Sequence, residues 1–305
     1  MDKITISVII PTHNRVGLLK RAIESVLNQT RKPEEVIVVD DLNDVATKEL
    51  CEQYFSSGVI YIPNIKGRGA SSSRNLGASK AKSEFVAFLD DDDIWLPEKL
   101  GKQCSQIRDK KLDACFTKLL IQYENTNISY STSAKNVSTP KIEILMENYI
   151  GATISAVIRR ELFLAVDGFD ESFRAREEYD LWIKLIHANA EVGIVEEPLA
   201  ISYRSLEQRD RISLNVDNYI SAIEMLNSKH EGLVNEHLND NQKNIRRKKQ
   251  CDFVAAQAVS IGLKKEAVQY YFKSLMIKPN TKALIGCVIS IISPKLLIKI
   301  RERLS

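Results

Sequence analysis

The sequence predicts an α/β protein: a mostly parallel sheet flanked by helices, followed by a helical extension. Three observations carry this. Apolar β-branched runs alternate with segments of helical periodicity from Ile4 onward, the order that calls for a parallel sheet covered on both faces. Strand patterns vanish after about residue 212. A chain of 305 residues with 44% hydrophobic and 27% charged side chains suits one large domain or a medium domain with an appendage, and is neither fibrous nor disordered.

Taken in order, Ile4–Ile10 is a strand closed by Pro11, and Leu18, Leu19, Ala22, Ile23, Val26 and Leu27 recur at helical spacing. The pattern repeats as a strand over Val36–Val39, a helix over 45–55, a strand over Val59–Ile62, a Gly/Ser-rich turn and helix over 67–82, and a strand over Phe85–Leu89. Residues 112–160 are less regular, with a polar stretch from Asn125 to Thr139 that reads as a mobile loop. A strand over Ala156–Ile158, a helix over 160–166, a turn at Asp167–Asp170 and a helix near 178–188 complete the body. The boundary at 212 divides this body, 1–212, from an extension, 213–305. Within the extension, Gly262, Ala267, Tyr271, Ser274 and Pro279 have the spacing of one tetratricopeptide unit, or of an ordinary helical hairpin. A single unit cannot bury its own face and must dock on the body or on a partner.

The net charge of +3, from 43 basic and 40 acidic residues, excludes a strongly basic nucleic-acid binder. It conceals a split. Residues 1–212 carry 28 Lys and Arg against 32 Asp and Glu, whereas 213–305 carry 15 against 8. Five scattered cysteines without a metal-ligand pattern, and a start lacking a long apolar run, point to reduced thiols and a cytoplasmic location. The longest uncharged apolar stretch, between Lys282 and Lys295, is too short to span a bilayer.

Ligands of open parallel sheets bind at the carboxyl ends of the strands. Three strands here run into polar groups: the first into Pro11, Thr12, His13, Asn14 and Arg15, the second into Asp40 and Asp41, the fourth into Asp90, Asp91, Asp92 and Asp93. Four adjacent carboxylates repel one another, and a divalent cation is the simplest compensation. Mg²⁺ favours one or two carboxylates completed by phosphate oxygens and water, so a diphosphate ligand is implied. The turn Gly67-Arg68-Gly69 superficially suggests dinucleotide binding, but Ser72 stands where a third glycine belongs.

Ser7-Val8-Ile9-Ile10-Pro11-Thr12-His13-Asn14-Arg15, Val38-Val39-Asp40-Asp41, Arg74-Asn75-Leu76-Gly77, Phe88 to Trp95, and Gly168-Phe169-Asp170-Glu171 with Glu177 to Trp182 after it together resemble the ordered signature of inverting family 2 glycosyltransferases. The resemblance covers roughly residues 4–205. It implies a nucleotide-diphospho-sugar fold of the GT-A type, with Thr12 and Asp41 on the nucleobase and Pro11, Arg15 and Asp40 nearby. It also places Arg74 against base or diphosphate, Asp90 and Asp91 near the donor, and Asp92 as principal ligand of Mn²⁺ or Mg²⁺. Glu178 takes the base position, in a Glu177-Glu178 pair where Glu-Asp is usual, with Glu177 and Asp180 as alternatives. Trp182 and Arg204 are secondary candidates, and Arg204 opens a basic loop with Gln208, Arg209 and Arg211.

The same resemblance implies a single in-line displacement with inversion, from a UDP-sugar to a saccharide on a polyprenyl diphosphate. UDP-glucose and a β1,3 linkage to GlcNAc are the favoured case. Arg246-Arg247-Lys248-Lys249 and the apolar stretch Leu284–Ile300 suggest peripheral association with the inner membrane, or a packed terminal helix with a solvated basic face. Two other classes stay open. A silent nucleotide-sugar-binding protein would keep the fold, and a nucleotidyltransferase would need a Gly-rich phosphate loop where this chain has Pro11 to Arg15.

Overall fold

The computed structural model describes residues 4–67, 69–124, 128–204 and 215–292. Gln208, Arg209, Arg211 and the apolar segment past residue 292 lie outside them. The first half alternates strictly: β1 (Ile6–Thr12), α1 (Val16–Leu27), β2 (Glu35–Asp40), α2 (Val45–Gln53), β3 (Val59–Pro63), α3 (Ala70–Lys80) and β4 (Phe85–Phe88). These four strands pair in parallel in the order β3-β2-β1-β4. Continuous apolar runs make both faces dry, because successive side chains point to opposite sides. Val8, Ile10, Val36, Val38, Phe85 and Ala87 enter one buried cluster, which takes Leu19, Ala22, Ile23 and Val26 of α1. Ile9, Ile37, Val39, Val86 and Phe88 enter the other. Gly77 is where α3 touches the sheet: a Cβ there would lie 2.6 Å from Ile9 Cγ2.

The middle of the chain supplies β5 (Ile94–Trp95), α4 (Lys99–Lys110), β6 (Ala114–Tyr123), β7 (Ser129–Ser131), α5 (Pro140–Met146), β8 (Val157–Arg159), α6 (Arg160–Ala165), α7 (Glu177–His187) and β9 (Val192–Arg204). The sheet continues from β4 as β8-β6-β9-β5, with β8 antiparallel to both neighbours, β9 parallel to β6, and β5 antiparallel to β9. Only the first half is uniformly parallel. The stretch expected to be a mobile loop is partly sheet: β7 pairs with β6, and the Asn136 side chain bonds both backbone groups of Ile194, at 2.9 and 3.0 Å. Thr132 likewise accepts from Leu119 N at 3.0 Å, while Ser133, Lys135, Ser138 and Thr139 are exposed.

The extension forms α8 (Val216–Lys229), α9 (Glu231–His237), α10 (Asp240–Ser260), α11 (Lys264–Ile277) and α12 (Thr281–Ile292). Ala222, Leu226 and Leu238 share a buried cluster with Trp182 and Ile183 of α7, so these helices dock on the body. The turn at Gly262 (φ +79°) folds α11 back on α10, where Ser274 donates to Asp252 at 2.6 Å and Ala267 is buried. Three of the four consecutive basic residues do not point at headgroups. Arg246 donates to Leu145 O and Asn227, Lys248 pairs with Asp252 at 2.6 Å, and Lys249 pairs with Glu147 at 2.5 Å, while Arg247 is exposed. Internal carboxylates and a helix-end carbonyl claim the charge that composition assigns to a surface. All five cysteines are free, and no described helix is long and apolar enough to cross a membrane.

Lys99 opens α4 fully buried, with Nζ 2.8 Å from Gln103 Oε1 and 4.0 Å from the Trp95 ring centroid. Burial lowers its amine to about 7. A lysine lowered in the fold binds its proton less well there than in the unfolded chain, so the folded state gains stability as pH rises from about 7 toward the ordinary lysine range. Against Lys99→Met, wild type should gain up to about 1 kcal/mol per pH unit between pH 7 and 9 in urea titrations. Parallel pH curves for the two proteins would contradict this.

Candidate active site

The carboxyl ends of β1, β2 and β4 meet at one edge of the sheet, where the acidic turn leaves β4. Its four carboxylates are shared among separate partners. Asp90 accepts from Arg74 at 2.6 Å. Asp91 accepts from Thr12 Oγ1 at 2.8 Å and from Arg15 at 3.2 Å. Arg15 also reaches Asp92 at 3.2 Å, and Arg21 donates to the Asp92 carbonyl at 2.6 Å. Asp93 is buried and accepts from Tyr203 N at 2.9 Å, which pins the turn to β9. Protein donors therefore compensate much of the repulsion that sequence reasoning assigned to a cation. Burial raises Asp91 to about 6 against the pull of Thr12 and Arg15, and holds Asp93 well above the ordinary carboxylate range, helped by Asp92 and Asp90.

Asp90 and Asp92 keep partly exposed carboxylates on this turn. Among the described residues no three His, Cys, Asp or Glu side chains converge as a complete metal cage. An incomplete set of hard oxygens fits Mn²⁺ or Mg²⁺, which fills its sphere with phosphate oxygens and water.

The two acids after β2 differ in role. Asp40 is fully buried and accepts from Leu42 N, Asp44 N and Tyr61 Oη, so it shapes the loop from within. Asp41 is held by Asn64 at 2.9 Å, Ser73 at 3.2 Å and Gly69 N at 3.0 Å, partners that no motif announced. Pro11 is buried in β1 opposite Val39, beyond the end of the β1–β4 ladder, where its missing N–H leaves no gap.

Across from the turn, α7 begins with the acidic pair. Asn75 locks it in place by donating to Phe169 O at 2.8 Å and accepting from Phe169 N at 2.9 Å, at a turn where Gly168 has φ +52° and a Cβ would sit 2.5 Å from Asn75 Oδ1. One residue earlier, buried Arg74 spans the gap to Glu177 at 3.1 Å. Burial disfavours that guanidinium, but Asp90 and Glu177 outweigh it and hold it charged.

The three candidates for a base separate cleanly. Glu177 is the partner of Arg74. Asp180, two residues along the helix from Glu178, lies on the opposite side of α7. It is fully buried, bonded to His230 Nε2 at 2.8 Å and Lys229 at 2.9 Å; burial raises its carboxyl, but these hydrogen bonds prevail and lower it. It is a structural anion that ties α7 to α8, and not a base in reach of substrate. Glu178 accepts from Asn148 Nδ2 at 3.3 Å, and burial, then the Glu177 charge, push it up to about 7 against Arg176 and Arg74. Trp182 is buried, edge-on to Phe116, and donates to Gly151 O at 2.9 Å, so it supports the Asn148–Gly151 turn rather than facing substrate. Arg204 is exposed at the end of β9.

A family model described as "Glycosyl transferase family 2" matches residues 7–166. A Campylobacter jejuni protein named GalNAc(5)-diNAcBac-PP-undecaprenol beta-1,3-glucosyltransferase is 31% identical, over 97% of this chain and 96% of its own. The Escherichia coli enzyme named UDP-Glc:alpha-D-GlcNAc-diphosphoundecaprenol beta-1,3-glucosyltransferase WfgD is 28% identical, over 62% of this chain and 72% of its own. Among solved structures, Staphylococcus aureus TarS 1–349 in complex with UDP-GlcNAc superposes with TM-score 0.58 at 17% identity, over 90% of this chain and 89% of that one. The mannosyltransferase PcManGT of Pyrobaculum calidifontis, in complex with GDP-Man and Mn²⁺, gives 0.58 at 14%, over 99% and 85%. The fold is that of GT-A glycosyltransferases.

Asp180→Asn removes the buried carboxylate shared by His230 and Lys229, leaving Lys229 only Asp170, and should lower stability by roughly 1–3 kcal/mol in urea unfolding. An unchanged midpoint would mean that the α7–α8 network contributes nothing.

Proposed function

The chain belongs to glycosyl transferase family 2 and is a glycosyltransferase, and from that premise we propose that it transfers glucose from UDP-glucose, with inversion and in β1,3 linkage, to a saccharide carried on a polyprenyl diphosphate. The observation that carries the mechanism is the Arg74 bridge: it brings the acidic turn that faces donor to within one side chain of the Glu177-Glu178 pair. The donor and acceptor identities rest on the printed activities of the Escherichia coli and Campylobacter relatives.

In this reading the nucleotide lies over Pro11, Thr12, Asp40 and Asp41, with Arg15, Asp90 and Asp91 around ribose and diphosphate. Asp92, with Asp90 beside it, would hold Mn²⁺ or Mg²⁺, which offsets charge on the departing diphosphate. Glu178 removes the proton from the acceptor hydroxyl as that oxygen attacks the anomeric carbon. Two carboxylates in one site have opposite duties because Glu177 pairs with Arg74, whereas Glu178, partly buried beside it with no ion pair of its own among the described residues, holds a proton well. Glutamate in place of the more usual aspartate lengthens the base by one methylene, and the Asn148 hydrogen bond fixes where the longer arm ends. The acceptor's lipid places the enzyme at the cytoplasmic membrane surface; exposed Phe272 and Met276 of α11 and Leu284 and Ile285 of α12 offer apolar contact there.

The test is transfer from a panel of nucleotide sugars to a synthetic GlcNAc-diphosphate-lipid with Mn²⁺, the linkage read by NMR. UDP-glucose and a β1,3 product are expected, and transfer from another donor alone would replace this reading. Glu178→Gln should lower kcat by about 10²–10⁴-fold, with the wild-type kcat/KM falling below a pH near 7, where the base becomes protonated. Asp92→Ala should abolish most turnover and the response to added Mn²⁺; full activity in either variant would overturn the assignment.

A further inference from the structure

The base has a second set of neighbours, supplied by the extension. Arg176 immediately precedes the acidic pair in a left-handed conformation (φ 60°). Its guanidinium carbon lies 3.9 Å from the ring centroid of Phe253 on α10 and 4.7 Å from that of Tyr179. Phe253 in turn packs edge-on against Tyr219 of α8, with centroids 5.6 Å apart. Arg176, Phe253 and Tyr219 are each only partly buried. The buried Nε–H of Arg176 has no hydrogen-bond partner among the described residues, and its charge acts on Glu178, as Tyr219 feels both acids of the pair. A guanidinium stacked on aromatic rings is pre-organised and keeps its in-plane N–H edge for a forked contact with an oxyanion.

Holding a cation here, between two aromatic rings and beside the base, is what an anionic acceptor requires. In a sugar 1-diphosphate the attacking 3-hydroxyl is only a few bonds from the nearer phosphorus, so a group that binds the phosphate must sit close to the group that takes the proton. Arg74, the buried cation at this edge, is already divided between Asp90 and Glu177. We propose that Arg176, Phe253 and Tyr219 form the acceptor subsite, with the two rings walling the acceptor sugar and the Arg176 guanidinium contacting its diphosphate. This rests on the transfer reaction above and adds where the acceptor lies, and that the extension builds half of its site.

The experiment compares two acceptors that share a sugar and an alkyl chain: a GlcNAc-diphosphate-lipid and the corresponding neutral alkyl glycoside. Read at about pH 9, where Glu178 is ionised with or without the neighbouring cation, Arg176→Gln should raise KM for the diphosphate acceptor about tenfold or more, the size of one charge-assisted contact, with KM for the neutral acceptor unchanged. Arg176→Lys should fall between, because it restores charge without the fork. Phe253→Ala should raise KM for both acceptors. UDP titration calorimetry of each variant, at the other end of the site, reports that it is folded. If Arg176→Gln binds UDP yet raises KM equally for both acceptors, or for neither, the subsite is wrong. If wild type transfers to neither acceptor, the reaction assignment fails instead.

Discussion

Arg74 is the constraint on which the rest of the site depends. An arginine with only 4% of its surface exposed survives burial only if anions come to it, because the unpaired charge would cost several kcal/mol. Asp90 and Glu177 meet it from opposite directions, 16 and 103 residues away in sequence. The bridge therefore fixes the distance between the turn after β4 and the start of α7. The neighbouring residues of the same helix make that distance reproducible. Asn75 clamps the Gly168-Phe169 turn with two hydrogen bonds, and Gly77 lets α3 lie against Ile9 and Val39 closely enough for Arg74 to reach both acids. Four consecutive motif residues thus contain an ion bridge, a backbone clamp and a close-packing contact.

From this bridge comes the electrostatic division of the pair. Two adjacent carboxylates cannot both ionise freely in a protein-lined recess. Burial first, and then the neighbouring Glu177 charge, disfavour ionised Glu178 against the pull of Arg176 and Arg74, and its proton is retained up to about 7. Asp180, on the far side of the same helix, has the opposite fate because Lys229 and His230 approach it from α8. One turn of α7 thus holds three acids in three environments, and the helix that docks behind it helps to set which of them can act as a base.

Much of the parallel half was legible because its strands are buried on both faces, so β-branched runs such as Val36–Val39 carry no polar interruption, and α1 shows its stripe at Leu19, Ala22, Ile23 and Val26. The second half was legible only in part: the strand at Ala156–Ile158 and the helices over 160–166 and 178–188 are present as β8, α6 and α7, but the pairing around them was not. β6 and β9 mix continuous buried runs with partly exposed stretches, and β8 pairs antiparallel with partners on both sides, an arrangement that local periodicity does not encode. The motif acids were visible as residue types, but their division of labour was not. Nothing about Asp40 and Asp41 in sequence says that the first is locked inside a loop while the second lies among Asn64, Ser73 and Gly69. The basic run at 246–249 misled, since counting charge is blind to Glu147, Asp252 and the Leu145 carbonyl waiting for it.

The family signature ends well before the enzyme does. The matched region stops at residue 166, before the Glu177-Glu178 pair, and the helix that carries the pair buries Trp182 and Ile183 in a cluster completed by Ala222, Leu226 and Leu238 of the extension. Asp180 has its two closest side-chain partners, Lys229 and His230, at the end of α8, and Arg176 rests on a ring from α10. Removing the helices after 212 would expose that apolar surface and take Lys229 and His230 away from buried Asp180, so the packing of the extension is coupled to the position of the helix that carries the acidic pair. The charge asymmetry then has a different meaning from the one that composition suggests. Part of the positive excess of residues 213–305 is directed inward, in Lys229 on Asp170 and Asp180 and in Lys249 on Glu147, and it binds the basic extension to the acidic body that carries the chemistry.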